Sequence, residues 1–196
     1  MGLRRPCGDG PRGGRRPAAN AECRAGLEQL AQKGASGNGD LTSDTGVSSY
    51  RFADLTNYFG TLTIGGGSGN SLILNNSWAA GGDPSTYTPK GLVVKDGATL
   101  RFNAEPFSYT NRGLYVESTG GVLHQVNIST HVLMPLTGEG TLTKTGSAQT
   151  TFNGTWTGVT IDVREGTLAV QSDCPEPGEG SAVVISGAST PKRSSI

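Results

Sequence analysis

Short runs in which apolar and polar residues alternate recur along most of the chain from about Leu41. In GTLTI at 60–64 the leucine and isoleucine point to one face and the threonines to the other, and ATLRF at 98–102 alternates in the same way. Gly, Asn, Ser and Asp separate these runs, as expected for turns. The pattern predicts short β-strands, and not amphipathic helices, as far as about Val184.

Whole strand–turn–strand units resemble one another. The clearest pair is LVVKDGATLRF at 92–102 and IDVREGTLAV at 161–170, in which an apolar strand precedes a basic residue, an acid, a glycine and Thr-Leu. Glycines that mark the starts of such strands are separated by 37, 24, 19 and 26 residues, and they are Gly60, Gly97, Gly121, Gly140 and Gly166. Periods near 20 to 25 residues are typical of coils that stack on one another. A solenoid is therefore favoured, with a β-sandwich as the alternative.

Composition agrees with a thin core crossed by many turns, because the chain is only 34% hydrophobic and contains 31 glycines. Residues 1–40, rich in Gly, Pro, Arg and Ala, predict a disordered basic tail with at most a short helix over 18–34. We expect one all-β domain of five or six coils at 41–188, and a second short tail at 189–196.

Charge and cysteine content exclude several classes of function. Sixteen basic residues balance sixteen acidic ones, so no global field attracts nucleic acid. Arg15 and Arg16 are not followed by the continuous apolar segment of an export signal, and no run approaches the roughly 20 apolar residues that span a bilayer. Cys7, Cys23 and Cys174 form neither an even disulfide set nor a zinc-binding pattern.

Residues able to carry out catalysis are present, but no motif arranges them. Asp96 aligns with Glu165, and together with Asp162 these acids follow or adjoin basic residues near turn glycines, which is typical of solvated turn residues. His124 and His131 have no Ser, Cys or acid arranged around them, and alternation predicts that His124 points outward. We therefore predict no catalytic, cofactor-binding or metal-binding residues and no cofactor.

Two loop segments are candidates for ligand binding. GGGSGN at 65–70 lacks the Lys-Ser/Thr ending of a phosphate-binding loop and is interpreted as a turn. Trp78, within NNSWAAGGDPSTYTPK at 75–90, would stack on a sugar ring if it were exposed, but closure of a loop over the core is the favoured interpretation.

The segment GEGTLTKTGSAQTTFNGTWTGVTIDVREGTLAV at 138–170 resembles the autotransporter-associated β-strand repeat of bacterial passenger domains. It differs from that family where TTF replaces the usual Thr-Leu-x-Leu strand and where Trp156 replaces a commoner Tyr. Residues 111–126 resemble the coil that often precedes this repeat. The positions that match the repeat are Gly140, Leu142, Thr143, Lys144, Gly146, Phe152, Trp156, Gly158, Ile161, Val163, Gly166 and Leu168.

The resemblance implies a short, right-handed, single-stranded parallel β-helix that belongs to a secreted or surface-displayed protein of a Gram-negative bacterium. It further implies a non-enzymatic structural or adhesive role, with host or environmental glycans or proteins as partners, no nucleic acid and no direct insertion into the membrane. The outer-membrane barrel expected in a full-length protein is absent, so we expect either a fragment or a member of a lineage whose repeat proteins are exported and anchored in another way. The alternative is a carbohydrate-binding or polysaccharide-cleaving β-helix, which would bring carboxylates together on one face.

Overall fold

The computed structural model describes residues 38, 40–43, 49–51, 55–103, 108–126, 128–170 and 178–187. These residues form sixteen β-strands, numbered β1 to β16 in chain order, and one single-turn 3-10 helix at Ser77–Ala80. Every strand pair in the described residues is parallel. The described part of the chain is therefore all-β.

The strands form three sheets. The first contains, in spatial order, β1 (Leu41–Ser43), β3 (Leu62–Ile64), β5 (Thr88–Val94), β7 (Arg112–Val116), β10 (Leu136–Gly138) and β13 (Trp156–Thr157). The second contains β2 (Ser49–Arg51), β4 (Ser71–Leu74), β6 (Thr99–Phe102), β8 (Gly121–His124), β11 (Thr141–Thr145), β14 (Thr160–Val163) and β16 (Ala182–Ile185). The third contains β9 (Thr130–Val132), β12 (Gln149–Phe152) and β15 (Thr167–Val170).

The chain alternates between the first and second sheets up to β8 and includes the third sheet from β9 on, and so winds into a β-solenoid of about five turns, which confirms the predicted fold class. Successive partners along the first sheet are 21, 30, 22, 22 and 20 residues apart, at Leu41, Leu62, Leu92, Leu114, Leu136 and Trp156. The predicted period is correct for every coil except one. That coil is longer because the segment with the 3-10 helix lies between β4 and β5. Parallel pairing throughout rules out the β-sandwich, whose sheets are antiparallel.

The glycine markers used to find the repeat do not all occupy the same corner of the coil. Gly97, Gly121 and Gly140 lie at or just before strands of the second sheet, whereas Gly60 precedes a strand of the first and Gly166 one of the third. For the same reason, the two most similar segments occupy different sheets. Similar strand–turn–strand units do repeat along the chain. The assumption that they occupy the same position in successive coils is wrong, because all three corners of a coil use similar turns.

The core consists of apolar side chains stacked in rows from coil to coil. Alternation placed the inward residues correctly in β3 and β6, where Leu62, Ile64, Leu100 and Phe102 are all buried. Leu142 is fully buried, and Leu168 is partly buried against the same core. Each row packs like residues at the strand spacing of about 4.8 Å, so every coil covers the apolar face of the one before it.

Lys144 interrupts one of these rows. It pairs with Leu123 on one side and Val163 on the other and is completely buried. Its Nζ donates hydrogen bonds to the carbonyl oxygens of Thr145 at 3.0 Å, Gly146 at 2.8 Å and Glu165 at 3.0 Å. All three ammonium protons are therefore bonded, and the lysine joins the corners of two successive coils.

Arg112 is the second fully buried cation, and it holds the long coil in place. Its NH2 group donates to the carbonyl oxygens of Gly60 at 2.9 Å and Gly91 at 2.7 Å, which flank the longer coil in sequence. A side chain at Gly81 would meet the guanidinium Cζ at 2.7 Å, and the positive φ of 101° there also favours glycine. Burial lowers the pKa of Arg112, but an arginine stays protonated in proteins.

The last described strand leaves part of a core row uncovered. Val183 and Ile185 of β16 are in register with the buried Ile161 and Val163, yet they are 47% and 56% exposed. The difference arises because no described strand packs on the far side of β16. Among the residues that the structure describes, this end of the solenoid therefore presents an apolar edge, the kind of edge that promotes pairing with another strand.

Candidate ligand-binding groove

The outward face of the second sheet carries a groove with a volume of about 470 Å³. It extends across β8, β11 and β14, so its long direction follows the solenoid axis. Threonines dominate its polar lining, with one carboxylate and one guanidinium at one end; the polar side chains are those of Thr119, Thr141, Thr143, Thr160, Asp162 and Arg164.

Four of these side chains form a compact group that we call the polar quartet: Thr141, Thr143, Thr160 and Asp162. Thr141 is the register partner of Thr160, and Thr143 is the partner of Asp162. Neighbouring strands are about 4.8 Å apart and alternate residues of a strand about 6.7 Å apart. The quartet therefore occupies the corners of a small rectangle that points outward from the sheet.

Asp162 is held in place from two sides. The Arg164 Nε donates to its Oδ2 at 2.7 Å, and the Ser186 hydroxyl of the next coil donates to its Oδ1. The hydrogen bond from Ser186, supported by Arg164, lowers the pKa of the carboxyl below its ordinary value although burial opposes the shift. The interpretation of Asp162 as a solvated turn residue was wrong, because it lies within β14 and is only 8% exposed.

Beside the quartet lies a row of longer polar side chains on the same sheet. His124 faces outward, as predicted, and its Nδ1 lies 2.9 Å from the hydroxyl of Thr145. The register places Arg101 before His124 and Arg164 after Thr145 in this row. The groove is therefore bordered by basic side chains on one side. His131 lies on a different sheet, in β9, so the two histidines do not form a common site.

The other acids considered from sequence do not enter the groove. Asp96 lies in the turn between β5 and β6 with a φ of 57° and has Lys95 Nζ at 3.7 Å. Glu165 lies in the turn after β14, where its Oε2 accepts a hydrogen bond from the Gly146 N–H at 2.9 Å. Both therefore occupy turns, as expected. Three strand spacings separate the Asp96 turn from Asp162, or about 14 Å.

A pair of glutamates that the sequence did not single out lies near the end of the first sheet. Because Val116 pairs with Gly138, the residues that follow, Glu117 and Glu139, lie on neighbouring strands. Glu117 has Lys90 Nζ at 3.5 Å, and Glu139 accepts a weak hydrogen bond from the Tyr115 hydroxyl at 3.4 Å. Lys90 also lies over the Tyr115 ring, 4.0 Å from its centre. Stacking of the coils brings Lys90 and Glu139, each more than 20 positions away in sequence, next to Tyr115 and Glu117.

Several sequence-based predictions fall on parts of the chain that the structure does not describe. Cys7, Cys23 and Cys174, the short helix over 18–34 and the side chain of Trp78 lie outside the described residues. The segment at 65–70 does form the turn between β3 and β4. Within the described residues, no three His, Cys, Asp or Glu side chains converge to hold a metal ion. The same residues contain no helix with the length and apolar character needed to cross a membrane.

Comparison with known proteins found no match: no family model, no curated protein and no solved structure is detectably similar to this chain.

Proposed function

We propose that this chain is a non-enzymatic structural or adhesive β-solenoid element of a secreted or surface-displayed bacterial protein. The observation that carries the proposal is the composition of the groove, whose single carboxylate, Asp162, is already bonded to Arg164 and Ser186. Glycoside cleavage requires two carboxyl groups about 5 to 9.5 Å apart, one of which transfers a proton. The groove therefore favours contact over cleavage.

One further feature supports a role as one section of a longer solenoid. The half-exposed Val183 and Ile185 occupy a row that is otherwise buried, so an additional coil would cover apolar surface there. The secreted or surface location rests on the resemblance of residues 138–170 to passenger repeats. An outer-membrane barrel or other anchor elsewhere in the full-length protein belongs to this proposal.

Location is tested with antibodies raised against the purified chain. We expect them to label intact cells of the source bacterium, or to detect the protein in the culture medium, without permeabilisation. An antibody against a cytoplasmic protein of the same cells serves as the control for membrane integrity. Labelling that requires permeabilised cells would contradict the proposed location.

A polysaccharide-cleaving solenoid is the second candidate, and the neighbouring positions of Glu117 and Glu139 are the observation that favours it. Its test is the release of reducing ends from soluble neutral and acidic polysaccharides. The non-enzymatic proposal predicts no release above that of a heat-inactivated sample. The control variant is Glu179→Gln, which replaces an exposed glutamate in the turn before β16. Release that is abolished in both Glu117→Gln and Glu139→Gln, but retained in this control, would establish the enzyme instead.

A further inference from the structure

The hydroxyl groups of the polar quartet have no partners within the described protein. The described residues provide no hydrogen bond to the side-chain oxygens of Thr141, Thr143 and Thr160, although Thr119 beside them accepts one from the Asp96 N–H at 2.8 Å. Each free hydroxyl offers one donor and two acceptor positions. Three of the four quartet members are therefore available to bond a ligand in the groove.

Asp162 adds a fixed acceptor to these hydroxyls. Each of its oxygens receives one hydrogen bond from the protein, at Oδ2 from Arg164 and at Oδ1 from Ser186. An ionised carboxylate has about four lone-pair positions, so about two remain for a ligand. Because its present partners hold it from two directions, the carboxylate loses little side-chain entropy when it binds.

Apolar surface flanks the quartet along the solenoid axis. Val122 precedes Thr143 in its row and Val184 follows Asp162, as the strand register shows. A ligand that lies along the axis would therefore meet a valine, a hydroxyl, a carboxylate and a second valine at intervals of about 4.8 Å. This order matches a molecule that has both C–H faces and hydroxyl groups.

Other ligand classes fit the groove less well. Within the groove the charge of Arg164 is paired with that of Asp162, so its lining offers no unpaired cation to bind a phosphate or an acidic sugar, and a single carboxylate is a poor site for a divalent cation. A purely apolar ligand would bury the threonine hydroxyls without partners, which is unfavourable. The groove has a volume of about 470 Å³ and is open to solvent.

We propose that the groove binds a neutral saccharide, as a disaccharide-sized section of a longer glycan that lies along the solenoid axis. The proposal deepens the adhesive role above and rests on it, since a surface-exposed solenoid would meet such glycans. Asp162 accepts hydrogen bonds from two sugar hydroxyls, Thr143 and Thr160 exchange hydrogen bonds with others, and the valines contact the C–H faces.

The test is titration of the purified chain with cellobiose, maltose, lactose and, as the acidic comparison, digalacturonate, followed by NMR shifts of backbone amides. We expect at least one neutral disaccharide to bind saturably with a millimolar Kd and to shift amides of β11 and β14. Thr143→Val and Thr160→Val should each weaken binding about three- to tenfold, the effect of one lost hydrogen bond. The matched control, Thr63→Val on the first sheet, should bind as the wild type does.

Three results would overturn the proposal: no saturable binding of any neutral disaccharide, binding that Thr143→Val and Thr160→Val leave unchanged, or binding of digalacturonate alone. None of them affects the surface location, because antibody labelling of intact cells does not depend on the groove. Conversely, sugar binding by a protein that labels only in permeabilised cells would retain the groove and reject the proposed location.

Discussion

Replacement of Lys144 by methionine tests whether the buried ammonium stabilises the solenoid. Methionine retains most of the apolar length of the side chain, so packing between Leu123 and Val163 changes little, but the three hydrogen bonds to backbone carbonyls are lost. Hydrogen bonds to charged groups contribute about 1.5 to 3 kcal/mol each. The cost of burying the ammonium, which also lowers the pKa of Lys144, offsets part of that total. We expect a net loss of about 3 kcal/mol in the free energy of unfolding.

The measurement is urea denaturation followed by circular dichroism at neutral pH. Lys90→Met is the matched control because the Lys90 side chain is 52% exposed and contacts only surface groups, and it should change the unfolding free energy by less than about 0.5 kcal/mol. If Lys144→Met is as stable as the wild type, or more stable, the carbonyl contacts do not compensate for burial of the charge. The reasoning about this residue would then be refuted.

Three further predictions concern other parts of the solenoid. Burial raises the pKa of Tyr58 from 10.0 to about 12, so its contribution to stability is complete below pH 10 and is lost as the pH rises through about 12. The loss of unfolding free energy at alkaline pH should therefore be smaller in Tyr58→Phe, and an equal loss would contradict the assignment. The lowered pKa of Asp162 gives stability that is present above its ordinary value of 3.8 and is lost as the pH falls through the folded-state pKa. Ser186→Ala should lose less unfolding free energy during acid denaturation than the wild type, and an unchanged profile would exclude the role of Ser186. In urea denaturation Val163→Ala should lower the free energy of unfolding by about 2 kcal/mol and Val183→Ala by less than about 1 kcal/mol, because Val163 is 5% exposed and Val183 is 47% exposed. Equal losses would show that the apolar edge is covered in solution.

The predictions from sequence were most accurate where they depended on local alternation. Leu62 and Leu100 were placed inward and His124 outward, because side chains alternate between the two faces of any extended strand. The same alternation also places Lys144 inward, on the face of Leu142. A lysine is rarely buried unless its charge is compensated, and one of the three carbonyls that bond it, that of Glu165, belongs to the next coil and cannot be identified from the local sequence.

The groove could not be predicted from the sequence because the residues that line it come from different coils. Asp162 and Ser186 are 24 residues apart, and their contact exists only because β14 and β16 stack in register. Glu117 and Glu139 are neighbours for the same reason. The sequence contains the period of the coil only approximately, since similar glycine turns occur at three corners and one coil is longer than the rest.

The amino-acid sequence by itself determined that the chain forms short strands, which of their side chains point inward, and that the units stack as a solenoid, because these properties depend on residue type and on a period of two within each strand. Only the tertiary structure decided which turns share a corner, which backbone carbonyls accept hydrogen bonds from the buried Lys144 and Arg112, and which polar groups meet in the groove. These depend on the register between coils, which brings together residues about 20 positions apart and is set by packing across the whole core.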